Sequence, residues 1–229
     1  MPSQMSIPEA LNTLIAGLIL LLAFGMVATR QVQGVVRFFI TQSVLLAASC
    51  FLLGYALHST HLYYLGAITI VAKVLVIPWV LRRDLARELY VRREIEQVFN
   101  IPASLLLALL LAIFAVLLVT PASAITLDPV IHINLPIGVA GVLIGAFSLV
   151  VRREAIPQLM GILAMENGAF FAGIAVAAEL PLIAELTVAF DIILIAVIVG
   201  LLTKDIERTI GTTEAAALQK LKEEPVSWR

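Results

Sequence analysis

Residues 103–119 read ASLLLALLLAIFAVLLV, a run with one hydroxyl and no charge. An α-helix needs roughly 17–25 such residues to cross a hydrocarbon core about 30 Å thick. Six further apolar runs lie near Leu11–Thr29, Val35–Leu57, Leu62–Leu81, Leu135–Val151, Gln158–Ala178 and Leu182–Thr203. None alternates in the ten-residue pattern of a membrane β-barrel. Only a helix satisfies every backbone group inside one unbroken apolar segment. The sequence therefore predicts an all-α, polytopic membrane protein with about seven transmembrane helices. Composition agrees: 61% of residues are hydrophobic and 14% charged, with a mean hydropathy of +1.05, where a soluble domain carries roughly 25% charged residues.

The positions of Lys and Arg orient the spans. Arg30 and Arg37 frame the first connection, Arg82, Arg83, Arg87, Arg92 and Arg93 fill the third, and Arg152 and Arg153 the fifth. Lys204, Arg208, Lys220, Lys222 and Arg229 occupy the tail, while the N-terminus and the even-numbered connections have no basic residue. Fourteen of the fifteen basic residues thus fall on one side, predicting an outer N-terminus and a cytoplasmic C-terminus. That arrangement requires an odd number of spans. The opening MPSQMSIPEALN lacks a basic n-region, so no cleavable signal peptide is expected.

The chain divides accordingly: spans one to three over 1–81, a cytoplasmic segment over 82–100, the fourth span and an outer loop over 101–134. Spans five to seven follow over 135–203, and a cytoplasmic tail over 204–229. Within 82–99 the residues Leu85, Leu89, Ile95 and Phe99 recur at near-helical spacing among arginines and acids, which suits an amphipathic surface helix, either a solvated positive-inside segment or a docking surface for a cytoplasmic partner. The tail sequence GTTEAAALQKLKEEP predicts a short helix opened at Thr212 or Thr213 and stopped by Pro225.

Lys73 lies eleven residues into the third run, Glu166 about eight into the sixth and Asp191 about nine into the seventh. All three belong near mid-membrane, where an ionisable group costs about 2.5–3.5 kcal/mol on insertion scales. Either they pair inside the bundle and fix helix register, or they carry protons or ions. Glu185, one turn into the seventh run, is a possible outer-side relay, although hydration near the surface accounts for it and for Glu179 more simply. Pro78, five residues after Lys73, cannot donate to the Val74 carbonyl and permits a kink there. Gly141 and Gly145 form a GxxxG, and Gly161, Gly168 and Gly173 thin the sixth run, features that favour close helix packing.

Other chemistries find little support. The single cysteine, Cys50, excludes a disulfide framework or a Cys-ligated cluster built by this chain. His58 with His61 could grip a metal only as a bare pair, so no metal site is expected. No Ser or Cys has an evident base beside it. A near-neutral balance of 15 basic and 16 acidic residues gives nucleic acid nothing to bind, leaving lipid as the expected environment. Seven spans with a buried lysine also describe microbial rhodopsins, but there the retinal lysine is in the last helix.

Three motifs, AKVLVIPW at 72–79, GILAMENGAF at 161–170 and ELTVAFDIILIAVIV at 185–199, together resemble the hydrogenase-4 component E family. Spans five to seven are similar also to the K subunit of respiratory complex I and the C subunit of Mrp antiporters. Arg152, Arg153, Glu166 and Asp191 stand at the places of that subunit's arginine loop and two carboxylates, with Asp191 one methylene shorter than the Glu usual in complex I.

The resemblance implies a non-redox subunit in the membrane arm of a group 4 hydrogenase or formate-hydrogenlyase-like oxidoreductase, in a bacterial or archaeal cytoplasmic membrane. Lys73, Glu166 and Asp191 would form its proton or ion relay. Antiporter-like and complex I H-subunit-like membrane subunits and a cytoplasmic redox arm would be its partners. Fe–S clusters and a [NiFe] centre would reside in those partners, and no cofactor in this chain. A structural anchor without a relay, or an Mrp-type antiporter subunit, are the alternatives.

Overall fold

A computed structural model of the protein describes residues 6–84, 99–123 and 129–177. The chain falls into two compact units, Met1–Asp191 and Ile192–Arg229, and every described residue belongs to the first. Among the described residues six helices are long and apolar enough to cross a membrane. They make the protein a multi-pass membrane protein with the first six expected spans in the expected order. The seventh run, Leu182–Thr203, the segment 85–98 and the tail 204–229 lie outside the described residues, as do Glu179, Glu185 and Asp191.

The first span is Ile7–Ala28. Pro8 sits in its opening turn, and the Glu9 carboxylate accepts the Ser6 amide hydrogen at 2.8 Å, satisfying one otherwise orphaned donor. The second span, Val32–Ala56, follows after three residues, so the pair must run antiparallel. Between the second and third spans His58 adopts φ 52°, the left-handed step with which many helices end. The third span starts at Thr60 and continues to Asp84, interrupted by a π-helical stretch at Ile70–Val76. The fourth, Ile101–Ser123, opens where the Asn100 side chain accepts the Ala103 amide hydrogen at 3.2 Å.

The fifth span, Pro129–Val151, begins six residues before Leu135, the start expected from hydropathy. Pro129 explains the difference, because its fixed φ and missing amide hydrogen suit the first position of a helix. Much of the stretch read as outer loop is therefore helical: the fourth span runs on to Ser123 and the fifth already holds His132 and Asn134. The sixth span is Ala155–Ala177.

The three-residue connections after the first, second and fifth spans turn the chain back, and one end of the bundle carries Ser59, the other Arg152. Two bonds between the first and fifth spans establish that these run parallel. Asn12 meets Asn134 near the Ser59 end, and the Arg152 guanidinium donates to the Met26 carbonyl at the other.

Between helices in lipid the driving force is packing and hydrogen bonding rather than release of water. The fourth span turns Ala108, Ala112 and Ala115 toward Ala23, Val27, Ala140 and Ile144, an i, i+4, i+7 stripe of small residues. Its Leu106, Leu110, Phe114 and Leu117 point outward. A second cluster unites Ile15, Ile19, Leu46, Cys50, Leu62 and Phe171 from the first, second, third and sixth spans.

Among the described residues the fifth and sixth spans form the most extensive interface. A methyl group added to Gly168 would lie 2.6 Å from the Val142 amide nitrogen. One on Gly145 would lie 2.6 Å from that of Met165, and one on Gly161 2.9 Å from that of Leu149. Here backbone touches backbone, which only glycine allows. This is the close packing expected of Gly141, Gly145, Gly161 and Gly168, extended by Gly138.

Candidate functional site

Lys73 is fully buried, in the middle of the π-helical stretch. The distortion lies immediately N-terminal to Pro78, and the Ile77 amide hydrogen bonds back to Ala72, five residues away. The kink expected at Pro78 therefore takes the form of a widened turn, a feature that often marks functional positions in helices. The wide turn places Lys73 against the sixth span.

There Nζ of Lys73 lies 2.7 Å from Oε1 of Glu166, an ion pair with side-chain exposures of 0% and 8%. The same ammonium donates to Oδ1 of Asn167 at 3.0 Å. It also stands 5.8 Å from the centre of the Phe170 ring, within range of a cation–π attraction. Glu166 and Asn167 are adjacent in the chain, and Phe170 is one turn further on. One face of one turn of the sixth span thus receives the lysine.

The network continues inward. Nδ2 of Asn167 donates to Oγ of Ser43 at 3.1 Å and, more weakly, to Oε1 of Gln42 at 3.4 Å. Nε2 of Gln42 donates to the Ile19 carbonyl at 3.4 Å. Four spans are thereby joined at mid-bundle through Ile19, Gln42 and Ser43, Lys73, and Glu166 and Asn167. A buried charge is tolerable where an opposite charge and aligned dipoles replace its hydration, and these residues supply both.

Of the candidates named from sequence, Lys73 and Glu166 are brought into direct contact. Asp191 and Glu185 lie outside the described residues. Asn167, Gln42 and Ser43 carry no charge and so do not stand out in the sequence. A carboxamide in an apolar run carries the same signal at lower intensity, since it too needs a partner when buried. By its charge Arg152 marks the expected cytoplasmic side. It is in fact 2% exposed and satisfies a carbonyl in the last turn of the first span, where cations are favoured. Burial pushes its pKa down to about 10, which leaves it protonated at neutral pH.

These features define a polytopic α-helical membrane protein built round a buried, hydrogen-bonded Lys–Glu pair. A relative from Mycobacterium tuberculosis, "Uncharacterized protein Rv0085", is 30% identical over 209 residues, covering 91% of this chain and 94% of that protein. The chain belongs to the family of that protein. Hydrogenase-4 component E of Escherichia coli strain K12 is 26% identical over 215 residues, 91% of this chain and 95% of that protein, and the protein of the same name from Shigella flexneri aligns at the same identity. This full-length similarity supports the hydrogenase-4 component E family that the motifs suggest. No family model and no solved structure matches the chain.

Proposed function

We propose that the protein is a non-redox subunit in the membrane arm of a complex I-related hydrogenase or formate-hydrogenlyase-like oxidoreductase, and that Lys73 and Glu166 relay protons within it. The observation that carries this reading is the 2.7 Å contact between Nζ and Oε1 at mid-bundle. Transfer of one proton from the ammonium to the carboxylate turns an ion pair into a neutral pair without moving either helix. Such a pair can be switched by a neighbouring charge. Asp191 is assigned as the second carboxylate of the relay, Glu185 as an outer-side acid, and a cytoplasmic membrane as the location.

Redox centres belong to the partners. A Cys-ligated Fe–S cluster takes about four thiolates, and the whole chain has one cysteine, Cys50, buried among apolar side chains. The antiporter-like and complex I H-subunit-like neighbours and the cytoplasmic arm are inferred from the motifs and from the similarity to hydrogenase-4 component E.

The test is proton translocation by the purified complex in sealed vesicles. Glu166→Gln keeps a hydrogen-bond acceptor for Lys73 and should preserve assembly while abolishing most translocation, as should Lys73→Gln, which keeps a donor for Glu166. Full translocation in both assembled variants would refute the relay.

A second reading rests on the tie between Asn167 and Gln42 and Ser43: the polar network fixes helix register and carries no proton. On that reading a pair made neutral without losing its hydrogen bonds would work normally.

A further inference from the structure

A separate polar cluster lies nearer the Ser59 end. Ser49 donates from Oγ to Oδ1 of Asn12 at 2.6 Å, and Nδ2 of Asn12 donates to Oδ1 of Asn134 at 2.8 Å. The three side chains come from the second, first and fifth spans and are 0–1% exposed. Nδ2 of Asn134 has no hydrogen-bond partner among the described residues. Leaving a buried donor unmade costs about 1–3 kcal/mol, so this amide end is built to meet something.

The chemistry of that something follows from the triad. Reversing both amides would exchange every donor and acceptor, yet the same end of Asn134 would be left over, now as an oxygen. A small neutral ligand able both to donate and to accept satisfies that end in either orientation. That describes water, which typically makes about three hydrogen bonds when buried. A bare cation is disfavoured, because the triad offers it no charge and few free oxygens.

Position gives the site its meaning. Asn12 and Ile19 are seven residues apart on the first span, as are Gln42 and Ser49 on the second, so each pair shares a helix face. The triad thus lies about 10 Å along the bundle axis from the Gln42–Asn167–Lys73 network. Between them stand Ala16 and Leu46, both buried. Two polar stations occupy one seam of the first and second spans, separated by two turns.

We propose that Asn12, Ser49 and Asn134 form a water-binding site, and that it is the outer-side station of the route whose central station is Lys73 with Glu166. The second clause rests on the relay proposed above; the first does not.

Radiolytic hydroxyl-radical footprinting of the assembled complex tests both. Radicals form from water in place, and the unique cysteine, next in the chain to Ser49, is the reporter. Cys50 should be oxidised although it is 0% exposed. The rate should fall at least fivefold in Asn134→Leu and about twofold or more in Ser49→Ala, a change small enough to leave folding intact. No oxidation of Cys50 in the wild type, or equal rates in wild type and Ser49→Ala, would overturn the water site. Reduced oxidation in Asn134→Leu with undiminished proton translocation would overturn its place on the route.

Discussion

At the scale of single residues, Lys73 and Glu166 form an ion pair buried inside the bundle. Breaking a buried pair by removing one partner typically costs about 3–5 kcal/mol, because the other charge is stranded. Glu166→Ala should lower stability by that order, whereas Glu166→Gln, which keeps an oxygen for the ammonium, should cost less. Thermal unfolding of the two variants in detergent checks the ordering. Equal loss in both would mean that the charge alone, and not the hydrogen bond, sustains Lys73. The two residues were legible in the sequence because nothing apolar explains a charge at mid-run. Their contact was not, since no rule of spacing says which span flanks the third.

Among the elements, the fifth and sixth spans decide where Glu166 stands. Gly168 is two residues from Glu166 and meets the fifth span backbone to backbone. Gly168→Val must push the helices apart, at an overpacking cost of about 1–3 kcal/mol or more. Cross-linking yield between cysteines placed across this interface, measured in a background lacking Cys50, should fall along with the unfolding temperature. Unchanged yield and temperature would show that the close approach is dispensable. The glycines marked both helices for close packing, because small residues make a flat helix face, but nothing in the sequence says that the two faces meet each other. The π-helical turn was only half legible: Pro78 marks the place, but whether a helix kinks or widens depends on what the neighbouring span offers. At Lys73 it offers a carboxylate and an amide. The start of the fifth span was misjudged for a different reason, as hydropathy weights the polar His132 and Asn134 against helix when both can be accommodated inside a bundle.

For the whole molecule, the basic residues predict that the Arg152 end faces the cytoplasm. Cysteine introduced at His58 should react with a membrane-impermeant thiol reagent from outside, and cysteine at Gln31 only after the membrane is opened; both positions are exposed. The reverse pattern would invert the topology and with it the direction of any relay. Cys50 itself, buried, should stay unlabelled by such a bulky reagent. Class and span order could be read from hydropathy and charge, since a bilayer permits so few solutions. The polar seam along the first and second spans could not, because Asn12, Gln42, Ser49 and Asn134 acquire meaning only when their helices meet. The most direct test of the central claim removes titratable charge while keeping the hydrogen bond. In the double variant Lys73→Gln with Glu166→Gln, two amides can join where Nζ and Oε1 now meet. Proton translocation per turnover of the reconstituted complex is the measurement. The relay account predicts an assembled, folded complex whose translocation is lost; assembly with translocation at the wild-type level would contradict it.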